Sequence, residues 1–225
     1  STVILAATAN LSNPTSGNGF YNLTQNNNVV TTLTDDAWVW GAVSTGDATS
    51  TIRTNTSGAE LIVYGSLTVN GVTWGGGSQV LTLRFGSAAS SVPGDNYGDI
   101  DIRVARTGTT TLAGDVVTTG DLSVDPNSGD AQATLSTGGY NLTVAGLYLG
   151  SASLPSWGGR LSVTGASAVT VSGDVVIYSD DGVQHNGIAV ATSGTNAITV
   201  GGNWTVGSGG EFDAQNSTVT VNASS

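Results

Sequence analysis

Leu142-Thr143-Val144-Ala145-Gly146-Leu147-Tyr148-Leu149 decides the fold, because it joins two short alternating runs through a single glycine. The phrase returns as Val169-Thr170-Val171-Ser172-Gly173-Asp174-Val175-Val176-Ile177 and as Ile198-Thr199-Val200-Gly201-Gly202-Asn203-Trp204-Thr205-Val206. With the shorter copy Leu112-Ala113-Gly114, the glycines fall 32, 27 and 29 residues apart. Such a period is too long for a hairpin and suits one coil of a solenoid, whose repeats must stack to bury their apolar faces. Alternation with period two sends one set of side chains inward and the other to solvent, and the small glycine is expected to let the chain bend between strands. No window has a sustained 3.6-residue period, and Gly, Ser, Thr and Val are poor helix formers. The expected fold is all-β: a parallel β-helix, or β-solenoid, with about three short strands per coil and almost no helix.

Working outward, four regular coils are assigned to 112–223, at about 112–141, 142–167, 168–196 and 197–223. Residues 61–111 read as irregular coils with an insertion near 86–98, a Ser-, Gly- and Pro-rich stretch. Residues 1–60 read as irregular first coils, or as a cap or assembly strand, and 1–225 as one elongated domain. Strand-like runs upstream are Thr2 to Ala6, Val29 to Leu33, Ala37 to Trp40, Leu61 to Val69, Val80 to Phe85 and Ile100 to Val104.

Composition narrows the function. Five Arg and no Lys face 16 acids, for a net charge of −11, and a polyanionic surface repels nucleic-acid phosphates and anionic lipid. Cys and Met are absent, so no disulfide, thiolate metal site or thiol redox chemistry can be built. No run reaches the roughly 18 apolar residues of a membrane span. The opening Ser1-Thr2-Val3-Ile4-Leu5-Ala6-Ala7 is too short and uncharged for a signal peptide, and is expected to begin a mature or trimmed chain.

From Ile198 through Gly210-Glu211-Phe212-Asp213-Ala214 to Ser217-Thr218-Val219-Thr220-Val221, the chain resembles the Gly-Asn-Trp-Thr, Gly-x-Phe and Ser-Thr-Val-Thr phrases of large secreted bacterial and archaeal β-solenoid surface proteins. More loosely, its last 110 or so residues are similar to the passenger domains of filamentous-haemagglutinin-like and autotransporter adhesins. The resemblance implies a secreted, cell-surface setting and carries over no catalytic residue.

Candidate sites were weighed against plainer roles. Asp95, Asn96, Asp99 and Asp101 offer hard oxygen ligands for calcium, but EF-hand spacing is absent, and a solvated turn running into a strand, with Arg103 screening the acids, is the leading account. No other cofactor is expected. Trp38 and Trp40 share a strand face, while Trp74 and Trp157 sit beside glycine-rich turns; all four are candidate sugar-stacking residues, with core packing as the alternative. His185, the one histidine, has too many serines around it for a Ser-His-Asp arrangement to be read from sequence. The sequons Asn10, Asn22, Asn55, Asn141, Asn203, Asn216 and Asn222 would accept glycans where the source glycosylates asparagine. Thr109 to Thr111, Thr118-Thr119 and Thr218 with Thr220 do not recur at one register, which speaks against a lattice-matching ice-binding face.

The expectation is a non-enzymatic extracellular structural protein: a stalk, adhesin module or self-assembling fibre subunit. Its partner would be a second copy joined head to tail, with Thr2, Val3, Ile4, Leu5 and Ala6 as the pairing strand, and surface glycans as a further contact. The alternative is a carbohydrate-binding or polysaccharide-cleaving β-helix, which would need carboxylates or bases gathered on one groove.

Overall fold

The computed structural model describes residues 2–11, 19–86, 91–105, 107–126, 131–154, 156–180, 185–190 and 195–222. Part of the insertion expected near 86–98 lies outside these residues. The chain is an all-β parallel solenoid of about eight turns, with three parallel sheets per coil and no helix among the described residues.

Strands follow one another in a three-step cycle. They are β1 (Thr2–Leu5), β2 (Ala9–Leu11), β3 (Asn22–Gln25), β4 (Val30–Leu33), β5 (Ala37–Val39), β6 (Val43–Ser44), β7 (Thr51–Thr54), β8 (Glu60–Val63), β9 (Leu67–Thr68) and β10 (Thr73–Trp74). There follow β11 (Thr82–Phe85), β12 (Ser91–Val92), β13 (Asp95–Asn96), β14 (Asp101–Val104), β15 (Gly108–Leu112), β16 (Val116–Val117), β17 (Leu122–Val124), β18 (Ala131–Ser136) and β19 (Leu142–Val144). The last are β20 (Leu147–Leu149), β21 (Trp157–Val163), β22 (Ala168–Val171), β23 (Val175–Ile177), β24 (Gly187–Val190), β25 (Ala197–Val200), β26 (Trp204–Val206), β27 (Glu211–Asp213) and β28 (Thr218–Val221).

One sheet runs unbroken from β5 through β8, β11, β14, β17, β20 and β23 to β26, and forms the spine. The other two steps are each split into an N-terminal four-stranded sheet, β1-β3-β6-β9 or β2-β4-β7-β10, and a C-terminal six-stranded sheet beginning at β12 or β13. Coil length varies along the axis, from 19 residues between Thr82 and Asp101 to 29 between Ala168 and Ala197, and is 21 between Ala197 and Thr218. Strand spans stay short throughout; the added residues enter the corners, where loops cost little to lengthen.

Alternation builds the core as two inward rows on the spine. Leu61, Leu83, Ile102, Leu122, Leu147 and Val175 form one, and Val39, Val63, Phe85, Val104, Val124, Leu149 and Ile177 the other, all nearly inaccessible to water. Each such side chain contributes about 1.5–3 kcal/mol of burial. Among the buried polar groups, Gln25 is held from both ends of its amide: Val29 O, Thr31 Oγ1 and Thr51 O share the two hydrogens of its Nε2, and its Oε1 accepts from the Gly46 amide.

Two features explain the composition. The repeat glycines 114, 173 and 202 do lie at bends between strands, as the sequence suggested, but none has positive φ, so left-handed backbone is not the reason for glycine there. They let coils close-pack: a Cβ on Gly173 would lie 2.9 Å from the Ala145 carbonyl oxygen, and one on Gly114 would lie 2.8 Å from Gly94 Cα. Gly146, Gly173 and Gly202 lie at the corner leading into the spine, but Gly114 lies one corner earlier, between β15 and β16. The excess of Asp and Asn has a second cause. At corners a short side chain accepts the amide N–H of the next coil, as Asn22 does from Ala42 (2.8 Å), Asp36 from Glu60 (3.0 Å), Asp115 from Asn141 (2.8 Å), Asn141 from Ala168 (2.9 Å) and Asp174 from Asn203 (2.7 Å). These bonds satisfy donors where the sheet ladder is interrupted.

Candidate functional site

The acidic segment does not converge on a metal. Asp95 and Asn96 lie on β13, Asp101 lies on β14 of a different sheet, and no group of three His, Asp or Glu among the described residues could hold an ion. Asp95 accepts the Trp74 indole N–H at 2.9 Å, Asp99 accepts the Gly76 amide at 3.3 Å, Asn96 accepts the Gly98 amide at 3.1 Å, and Asp101 accepts the Asp121 amide at 2.8 Å. Two of these bonds cross the seam between β10 and β13, strands that do not pair, and Trp74 packs on the buried Tyr97 there with ring centroids 5.4 Å apart. The segment is a staple. Asp95→Ala leaves the buried Trp74 N–H without an acceptor and is expected to cost about 1–3 kcal/mol in urea unfolding. Adding Trp74→Phe should recover much of that loss, and the seam account fails if the double variant is as unstable as Asp95→Ala.

The tryptophans divide. Trp74 is 3% exposed, so the expected sugar contact there is corrected: its ring belongs to the core. Trp157, the first residue of β21, is half-buried. Trp38 and Trp40 do share an outward face, where Trp40 stacks on Tyr64 with centroids 4.3 Å apart and Trp38 lies 5.8 Å from the same ring. The indole nitrogen of Trp38 is buried without a partner. The rings cover one another and the buried Ile62 below, with Trp40 remaining 42% exposed.

Among the sequons, Asn22 is half-buried, whereas Asn10, Asn55, Asn141, Asn203, Asn216 and Asn222 are exposed. Asn141 and Asn203 also donate through Nδ2 to Asp115 and Asp174. His185 sits 3.5 Å from Glu211 on the next coil, and its carbonyl accepts from Gln132. Threonines do recur at one register: Thr143, Thr170, Thr199 and Thr220 form a single outward row across β19, β22, β25 and β28. Unequal coil lengths hide that row in the sequence.

At the last coil the inward-facing side chains lose their cover. Trp204 is half-buried, and Val206, Phe212 and Val221 are 44, 37 and 47% exposed. β26, β27 and β28 each have one paired edge and one open edge among the described residues. β1 is likewise paired only with β3, with Leu5 buried and Ile4 62% exposed.

A concavity on the outward face of the spine was missed from sequence. A cleft of about 410 Å³ is lined by Glu60, Thr82, Asp101, Arg103, Asp121, Ser123, Asp125 and Tyr148. Glu60 holds both arginines of the neighbouring outer row, with Arg84 Nη1 at 2.9 Å and Arg103 Nη1 at 3.6 Å, while Arg103 also makes paired bonds to Asp125 at 2.9 and 3.2 Å. A second depression of about 320 Å³ adjoins it through the shared Asp121 and Tyr148 and ends at Asp174.

No family model, no characterised protein and no solved structure matches the chain. What defines it is its class, a parallel β-solenoid of about eight turns with a polar groove along its spine.

Proposed function

We propose that the chain is a non-enzymatic structural module of the cell exterior, a stalk, adhesin module or fibre subunit, joined end to end with a second copy by strand-edge pairing. The observation that carries this reading is that β26, β27 and β28 each have an edge unpaired among the described residues, beside the exposed apolar side chains of Val206, Phe212 and Val221. Such edges are templates for a further strand. β27 and β28 occupy the two steps of the cycle that β1 and β2 occupy in the first coil. A second copy with the same axial direction therefore brings β1 onto β27 and β2 onto β28, all parallel. The acids on this rim, Glu211 and Asp213, both lie on β27 and would face β1, whose residues Thr2 to Leu5 carry no charge, so no like charges are opposed. Contact of this head-to-tail kind gives open filaments rather than rings. A cell-surface setting agrees with the cysteine-free, acidic composition and with the resemblance to secreted solenoids.

Negative-stain electron microscopy of the purified chain over a concentration series tests the proposal. Rods that lengthen with concentration are expected, and Phe212→Arg should reduce them to single solenoids without unfolding the chain, since the residue is exposed. Single particles at every concentration, or filaments indifferent to Phe212→Arg and to deletion of residues 2–6, would overturn it.

A further inference from the structure

We infer that the groove on the outer face of the spine is a binding site for an amine-bearing oligosaccharide, a hydroxyl-rich ligand with positive charge. The site does not rest on the end-to-end reading, because it lies along the shaft and not at the last coil.

Its shape comes from one short side chain. Ser123 lies in the same outward row as Arg103 on the coil before and Tyr148 on the coil after, so a hydroxymethyl group forms the floor between two long side chains. Asp121 and Asp125, two residues to either side of Ser123 on the same strand face, form the other walls. The depression continues because Gly146 has no side chain: a Cβ there would lie 2.6 Å from Asp121 Oδ1 and 2.8 Å from the Tyr148 ring, so both side chains lean over it. The result is a trough crossing successive coils, which suits an extended chain of rings better than a compact molecule.

Its chemistry selects the ligand. Arg103 is occupied by Asp125 and Glu60, and Arg84 by Glu60, which leaves Asp101, Asp121 and Asp174 along one rim without a cationic partner among the described residues. Asp101 and Asp174 each spend one oxygen on a backbone amide. An ammonium group is drawn to this rim and a uronate is repelled. Tyr148 supplies an aromatic face and a phenol between the carboxylates, the pairing of apolar surface and polar tip that a sugar ring needs. Burial and the surrounding acids hold that phenol above its ordinary range, so it stays a donor, and burial likewise raises the Asp101 carboxyl.

Titration calorimetry of the full chain with a glucosamine tetramer, its N-acetylated form, a galacturonate tetramer and spermine tests the site. Saturable binding of the glucosamine tetramer is expected, weaker by about tenfold or more for the N-acetylated form, with none for the uronate. Ser123→Trp, which fills the floor from an outward position, should abolish binding; Asp121→Asn, which preserves shape, should weaken it by about tenfold. The inference is overturned by absence of binding, by binding unchanged in both variants, or by uronate binding as tightly. Spermine binding as tightly as the tetramer also overturns it, since charge alone would then suffice.

Discussion

Replacing Glu60 by alanine is expected to lower the unfolding free energy by about 3–5 kcal/mol, more than any surface carboxylate in a solenoid ordinarily contributes. Glu60 faces outward on β8, yet its side chain is only 17% exposed and that of Arg84 only 9%. The cover comes from the neighbouring outer row, in which Trp38, Ile62, Arg84 and Arg103 stand on successive coils. The Nε of Arg84 already lacks a partner, so the bond from Nη1 to Glu60 at 2.9 Å is the main compensation for its buried charge. Removing the carboxylate leaves that charge desolvated and also frees Arg103 from its second anchor. Urea unfolding with the linear extrapolation measures the loss. The double variant Glu60→Leu, Arg84→Met removes both charges and should regain most of it, because a buried pair is often replaceable by apolar groups. A loss under about 1 kcal/mol in Glu60→Ala would mean that water reaches the guanidinium, and would reduce the pair to an ordinary surface bridge.

Asn186→Ala is expected to cost about 2–4 kcal/mol. Asn186 is fully buried at the corner before β24. Its Oδ1 accepts the Gly159 amide at 2.6 Å, and its Nδ2 donates to the carbonyls of Tyr178 and Ser179 at 3.1 and 3.2 Å. One side chain thus ties the end of the β23 segment to β21 on the coil before. Gly150 makes room for it: at φ +88° a glycine is at home, and a Cβ there would lie 2.5 Å from the Asn186 amide carbon. Truncation orphans one buried donor and two carbonyls together, and such losses exceed a single exposed hydrogen bond. Hydrogen exchange should report the damage locally, with faster exchange at the Gly159 amide and at the Glu211 amide, which donates to Asn186 O. Exchange at Gly159 unchanged from the parent chain would show that the amide has another acceptor, and the hub account would fall.

Both residues show where sequence reasoning stops. Alternation in Leu147-Tyr148-Leu149 or Val175-Val176-Ile177 is a property of neighbours in the chain, so the inward rows of the spine are legible from residues alone. Leu11, Leu23, Gln25, Ile52 and Thr54 are buried as well, but the polar residues among and beside them blur the apolar signal, and β2, β3 and β7 are not legible from the residues alone. Glu60 and Asn186 read as a surface acid and a turn asparagine, because their burial depends on residues about 20 to 29 positions away on adjacent coils.

The groove was hidden for the same reason. Arg103, Ser123 and Tyr148 meet in one outward row only once coils of 20 and then 25 residues are set in register, from Ile102 to Leu122 and from Leu122 to Leu147. The acids near Asp95 were visible as a cluster in the chain, but folding distributes them over a seam and two sheets.

The sequence by itself determined the solenoid, its inward and outward faces and the absence of helix, because period-two alternation and short-range glycine placement act between adjacent residues. Only the tertiary structure decided which residues stand beside each other along the axis. Coil length varies at the corners without cost to the strands, so register between coils, and with it the buried Glu60–Arg84 pair, the Asn186 hub, the threonine row and the groove, is set by stacking and not by spacing.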